Sequence, residues 1–233
     1  MSKVLVITGA SRGIGLATAA LFKDEGYAVI NLSRSSIDSA IGSQICADLS
    51  NSNWLNHCKD QLIELVGEPE QLVLCHNASI LLKDNLPSAS ADFARVIQVN
   101  VIAAQQLNEL LIGKMKPGSS IHYIGSTLSE KAVANALTYT TSKHATLGLM
   151  RASCQDLMNT SIHTTCICPG FTDTEMLRDH VGNDSEVIDM IAGMNGFDRL
   201  VKPEEIAKTI FFAANNPVLN GTIIHANLGQ KES

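Results

Sequence analysis

The 233-residue sequence predicts a doubly wound α/β fold: a parallel β-sheet of about seven strands with helices on both faces, in a single domain over residues 1–233. Three observations predict it. Short apolar, β-branched runs alternate with stretches of helical period, and parallel neighbours need such crossover connections. A glycine-rich turn follows the first run directly. The composition, 45% hydrophobic against 17% charged, supplies enough apolar surface to cover a central sheet on both faces.

The elements follow in order. "KVLVI" (3–7) is the first strand and ends at the turn "TGASRGIG"; "IGLATAALFKDEGY" carries apolar residues at helical spacing and stops at Gly26. "AVINLS" (28–33) and "QICADLS" (44–50) are strands two and three, joined by a connection too short for much of a helix. "NSNWLNHCKDQLIELVG" (51–67) opens with Asn and Ser as N-caps and continues as a helix, and "QLVLCHN" (71–77) is the next strand. A long helix is expected over about 89–116, stopped by Pro-Gly, then a strand over 119–126. A second long helix covers 136–159, and a strand over 161–170 closes on another Pro-Gly. From 171 to 196 the pattern loosens into short helical pieces; "KPEEIAKTIFFAANN" (202–216) begins a helix with proline in its first turn, and "GTIIHAN" (221–227) is the last strand.

A net charge of −6 and the lack of clustered Lys and Arg argue against nucleic acid or an anionic membrane as partner. A small molecule is the expected partner. No run is long enough to span a bilayer, and the N-terminus shows no signal-peptide pattern, so a cytoplasmic protein is expected. The six cysteines, at 46, 58, 75, 154, 166 and 168, match no zinc spacing and read as free, mostly buried thiols. His57, His122, His144 and His163 show no metal-ligand grouping, and no metal is expected. Asp173 and Glu175 read as capping residues of a helix that begins near them.

In a doubly wound, Rossmann-like sheet, a glycine-rich turn between strand one and helix one aims backbone N–H groups and a helix dipole at a pyrophosphate. Gly9, Gly13 and Gly15 are spaced G-x-x-x-G-x-G, with no Lys-Ser/Thr of a phosphate loop. A plain tight turn is the other reading of the same residues. Where an acid at the end of strand two would hold a ribose 2′-hydroxyl, the sequence has Ser33 and Arg34, with no acid before Asp38. Arginine there suits a 2′-phosphate, and Arg12 inside the glycine turn could supply a second guanidinium. Tyr139 and Lys143 stand four apart on one helical face, and an ammonium beside a phenol stabilises its phenolate.

Together these pieces resemble the short-chain dehydrogenase/reductases over nearly the whole chain. "TGASRGIG" resembles that family's cofactor turn, which puts Gly9, Ser11, Arg12, Gly13, Ile14 and Gly15 about the dinucleotide. "CADLS" places Asp48 on the adenine with Leu49 beside it; "HNAS" stands where the family has N-N-A-G and offers Asn77 and Ala78. "VNV" supplies Asn100, "IGS" Ser126, "YTTSK" Tyr139 and Lys143, and "CPGFTDT" puts Pro169, Gly170 and Thr172 beside the nicotinamide.

The resemblance implies an NADP(H)-dependent oxidoreductase that interconverts a carbonyl and an alcohol on a small organic substrate, with NAD(H) as the alternative cofactor. Tyr139 would be the acid/base, Ser126 would hold the substrate oxygen, Lys143 would assist the tyrosine and anchor the ribose, and Asn100 would support a water relay. Tyr139 and Lys143 thus belong to both the catalytic and the cofactor-binding sets. The two long helices resemble those through which family members form homodimers or homotetramers. A dinucleotide-binding regulatory or interaction protein on the same fold is the alternative from another class, and a methyltransferase would leave the tetrad unexplained. "HNAS" departs from N-N-A-G at His76 and Ser79, and "HANLG" lacks the Asp-Gly-Gly often found after the last strand. The expected substrate region, from about Phe171 to Arg199, is moderately apolar through Phe171, Met176, Leu177, Val187, Ile188, Ile191 and Met194. Of the methionines there, Met176, Met190 and Met194 could equally line a pocket or sit elsewhere.

Overall fold

In the computed structural model, which describes residues 2–230, the apolar runs form seven strands: β1 (Lys3–Thr8), β2 (Ala28–Ser33), β3 (Ser43–Cys46), β4 (Gln71–His76), β5 (Ser120–Ile124), β6 (His163–Pro169) and β7 (Thr222–Ala226). All pair in parallel in one sheet, in the order β3-β2-β1-β4-β5-β6-β7. The strand order reverses at β1, which lies between β2 and β4. Helices α1 (Gly13–Asp24), α2 (Lys59–Val66), α3 (Ser90–Ile97), α4 (Ala103–Leu111), α5 (Leu137–Asp156), α6 (Glu175–Val181), α7 (Ser185–Ala192) and α8 (Pro203–Ala214) make the connections.

Strand side chains alternate between two apolar layers, as a sheet buried on both faces requires. Val4, Val6, Leu72 and Leu74 pack with Leu62 of α2, Leu107 and Leu111 of α4, and Leu147 and Met150 of α5. Their neighbours Leu5, Ile7, Val73 and Cys75 face the other way, onto Phe22 of α1 and Ile206 and Ile210 of α8. All six cysteines are free thiols, and only Cys46 is exposed. No described helix is long and apolar enough to cross a membrane.

Four local expectations are corrected. The segment 51–67 is not one helix: a 3₁₀ turn over Trp54–His57 precedes α2, because Cys58 leaves helical geometry (φ −138°, ψ −1°). Neither Asn51 nor Ser52 caps α2; the Asn51 side chain accepts from the Asn53 amide instead. The helix over 89–116 is broken by a π-helical turn, Gln98–Ile102, between α3 and α4. Strand β3 stops at Cys46, short of the expected 50, because the Asp48 carboxylate accepts from the Ser50 amide (3.0 Å) and hydroxyl (2.7 Å) and turns the chain.

Candidate active site

The strands end along one edge of the sheet, and a cleft of about 1270 Å³ opens there, beside the point where the order reverses. In open parallel sheets this is where ligands bind. Every residue assigned to the site from the sequence lines this cleft except Asn100.

The glycine turn is shaped by close approach. Gly9 has φ +71°, and a Cβ on it would meet Ala78 Cα at 3.0 Å; a Cβ on Gly15 would lie 2.3 Å from the Gly9 carbonyl oxygen. Asn77 fastens the turn to β4: its Nδ2 donates to the carbonyls of Thr8 and Gly9 (both 3.0 Å), and its amide donates to the Thr8 hydroxyl (3.1 Å). No side chain caps the first turn of α1, and that turn holds no acid, so its N–H groups present a bare helix N-terminus to the cleft. These residues fit a pyrophosphate.

At the β2 end, Arg34 is exposed and lines the cleft beside Asp48. The two Ser50 hydrogen bonds, with a smaller contribution from the Arg34 charge, hold the Asp48 carboxyl below its usual range. Ser33 is largely occupied: its hydroxyl donates to the Ser35 carbonyl (2.6 Å) and accepts from Asn31 (2.7 Å). Buried Asn31, not picked out from the sequence, also accepts from the Ala10 amide (2.9 Å) and so joins the glycine turn to the end of β2. Arg12 is paired with Glu175 at 2.7 Å. Glu175 stands in the first turn of α6, where its charge suits the helix dipole, but neither acid is the side-chain cap: Thr174 accepts from the Leu177 amide, while Asp173 holds Arg178 (2.7 Å).

On the other side of the cleft, Lys143 is 3% exposed and its Nζ donates to the Ile124 carbonyl (2.8 Å). That places the ammonium 5.3 Å from the centroid of the Tyr139 ring, which is half-buried. Ser126 caps the turn after β5, and its Oγ accepts from the Leu128 amide (3.1 Å). Among the described residues that hydroxyl donates to no protein group, so its hydrogen is available to a ligand oxygen. Asn100 stands behind the cleft wall in the π turn. Its side chain accepts from the Ile80 amide (2.8 Å) and donates to the Ile80 carbonyl (3.1 Å) and to Ser142 Oγ (2.9 Å), next to Lys143 in sequence. The extra residue of a π turn re-aims one side chain, which is why such turns recur at functional sites. Thr172 is buried, its hydroxyl bonded to the Gly170 carbonyl (3.0 Å) just past β6.

Residues 9–231 match the family model described as enoyl-(acyl carrier protein) reductase. The chain belongs to the short-chain dehydrogenase/reductase family. It is 26% identical over 235 residues to carbonyl reductase family member 4 of Xenopus laevis, covering 96% of each chain. It is 27% identical over 261 residues to NADPH-dependent aldehyde reductase 2, chloroplastic, of Arabidopsis thaliana, covering 97% of this chain and 93% of that protein. The crystal structure of a short chain dehydrogenase family protein from Francisella tularensis superposes with a TM-score of 0.88 at 25% identity, over 98% of both chains.

The segment after β4 and the α6 region also line the cleft of this short-chain dehydrogenase/reductase. Phe171, Met176, Leu177 and Met194 line the cleft as expected, whereas Val187, Ile188 and Ile191 do not, and Met190 is exposed. Leu81, Lys83, Asp84 and His180 also line it and carried no sequence signal. Partial burial, and then the charge of Lys83, lower the His180 pKa. The His76 departure from the family pattern is absorbed by the core: Nε2 meets Asn108 Oδ1 at 2.8 Å, and Asn108 in turn donates to the Tyr123 hydroxyl (2.8 Å).

Proposed function

We propose that this short-chain dehydrogenase/reductase is an NADP(H)-dependent oxidoreductase interconverting a carbonyl and an alcohol on a small organic substrate, with NAD(H) as a poorer cofactor. The observation that carries the reading is the placement of the buried Lys143 ammonium beside the Tyr139 ring, in a cleft that also holds Ser126 and the glycine turn. A pure binding protein has no use for that arrangement. The bound nicotinamide supplies or accepts the hydride.

The chain's own residues do the rest. Ser126 donates its free hydroxyl hydrogen to the substrate oxygen and orients it, and Tyr139 passes a proton to that oxygen during reduction or takes it during oxidation. Lys143 stabilises the negative charge that develops on the phenol oxygen. Asn100, through Ile80 and Ser142, holds the wall behind Lys143 in place and supports the proton path to solvent. Arg34, joined by Arg12, selects the 2′-phosphate, a preference in keeping with the NADPH dependence named for the Arabidopsis relative. The protein is further proposed to be a cytoplasmic homodimer or homotetramer, which size-exclusion chromatography with light scattering tests.

The deciding experiment follows NADPH and NADH oxidation against a panel of aldehydes and ketones, with Tyr139→Phe as control. A loss of about 10²–10⁴ in kcat with NADPH binding intact is expected for the variant. Tight NADPH binding with no turnover of any carbonyl by the unmodified protein would overturn the enzymatic reading.

A further inference from the structure

The catalytic helix has no cap of its own. Helix α5 begins at Leu137, and its N-cap residue, Ala136, has no side chain that can accept a hydrogen bond. The first N–H groups of a helix lack intrahelical partners, and a buried helix start without substitutes is costly. Here the first intrahelical bond runs from the Thr140 amide to the Ala136 carbonyl (2.9 Å), which leaves the amides of Leu137, Thr138 and Tyr139 without an acceptor inside the helix.

The first two find Asp84. The Leu137 amide donates to the Asp84 backbone carbonyl (3.3 Å), and the Thr138 amide donates to both carboxylate oxygens (each 3.2 Å). The Thr138 hydroxyl donates to the same carboxylate. In return the Asp84 amide donates to the carbonyl of Asn135, a residue held at φ +61° so that the chain can enter the helix. Asp84 and Thr138 are 6% and 1% exposed, so these bonds are shielded from water. Asp84 therefore does what an N-cap residue does, from 54 positions away in sequence.

Two functional elements meet at this junction. Tyr139 follows Thr138 directly, in the first turn that Asp84 holds. Asp84 also lies in the segment that leaves β4, which Asn100 pins at Ile80 and which lines the cleft through Leu81 and Lys83.

We infer that Asp84 is a positioning residue: it caps α5 from outside, sets the first turn of the catalytic helix, and couples the substrate-side wall of the cleft to the placement of Tyr139. The consequence for turnover rests on the function proposed above; the consequence for the helix start does not. Among the described residues Asp84 makes no hydrogen bond to the glycine turn or to Arg34, so cofactor affinity is not its task.

The test compares Asp84→Ala and Asp84→Asn with the unmodified protein in two measurements. In hydrogen exchange without cofactor, Asp84→Ala speeds exchange at the Thr138 amide, whose acceptor is the carboxylate, by about tenfold, the effect of losing a cap, while β1 and β4 stay protected. In carbonyl reduction, Asp84→Ala lowers kcat by about tenfold or more, as a misplaced catalytic group does, with the NADPH Kd within about twofold of the original. Asp84→Asn, which keeps one acceptor oxygen, recovers part of both losses. Unchanged exchange at Thr138 in folded Asp84→Ala overturns the inference, as does a parallel loss of NADPH affinity and kcat. If the unmodified protein reduces no carbonyl, the proposed function fails, and the exchange experiment still decides whether Asp84 holds the helix.

Discussion

Arg12 Nη1 lies 2.7 Å from a carboxylate oxygen of Glu175, tying the residue that opens α1 to the first residue of α6. The pair spans 163 positions of sequence and joins the glycine turn to α6. Both side chains are more than half exposed, which makes the pair weak and breakable. Glu175 and a 2′-phosphate would then compete for one guanidinium.

Removing the competitor should help the phosphate. Glu175→Gln keeps the shape of the side chain and frees Arg12, so the NADPH Kd is expected to fall by about two- to fivefold, the range of an exposed ion pair, with NADH affinity unchanged. Fluorescence titration with both cofactors checks it. A weaker NADPH complex in the variant would mean that Glu175 holds Arg12 ready for the cofactor.

Arg34 is the sharper test of cofactor choice. Asp48 feels its charge, but no described acid forms an ion pair with it, and a charge-assisted contact to phosphate contributes about 1.5–3 kcal/mol. Arg34→Asp should therefore raise the KM for NADPH by about tenfold or more and leave that for NADH nearly unchanged or lower. Equal effects on both cofactors in steady-state kinetics would sink the 2′-phosphate assignment.

Acid should destabilise the fold before most carboxylates titrate. Burial pushes His76 down to about 4 and His122 down to about 3, the latter with help from the neighbouring His163, against an ordinary value of 6.5. Below 6.5 the unfolded chain binds protons that the folded chain refuses, so this stability is complete above 6.5 and declines as pH falls toward 4 and then 3. The loss is on the order of 3–5 kcal/mol per histidine. Thermal melts across this range should show Tm falling, with a shallower fall for His76→Asn; a flat profile from 6.5 to 4 in the original protein would contradict the neutral, buried state of both rings.

The sheet was legible because burial on both faces leaves a periodic trace: Val4, Leu5, Val6 and Ile7 must all be apolar when alternate residues face opposite layers. The glycine turn was legible for a related reason, since Gly9 and Gly15 stand where backbone comes too close for a Cβ. Tyr139 and Lys143 were readable as one turn of one helix. Even so, the split of the segment 51–67 and the π turn at Asn100 left no trace in apolar spacing, because one non-helical residue or one extra residue barely disturbs the period.

By itself, then, the sequence determined the order of strands and helices and the residues grouped at the strand ends. Those depend on local periodicity and short motifs. Only the tertiary structure decided that Asn31 bridges the glycine turn to Ser33, that Arg12 faces Glu175, and that Asp84 caps α5. Each joins segments that come together only after the sheet has assembled and the loops have packed across its edge, and a hydrogen bond between distant residues constrains neither one's neighbours in sequence.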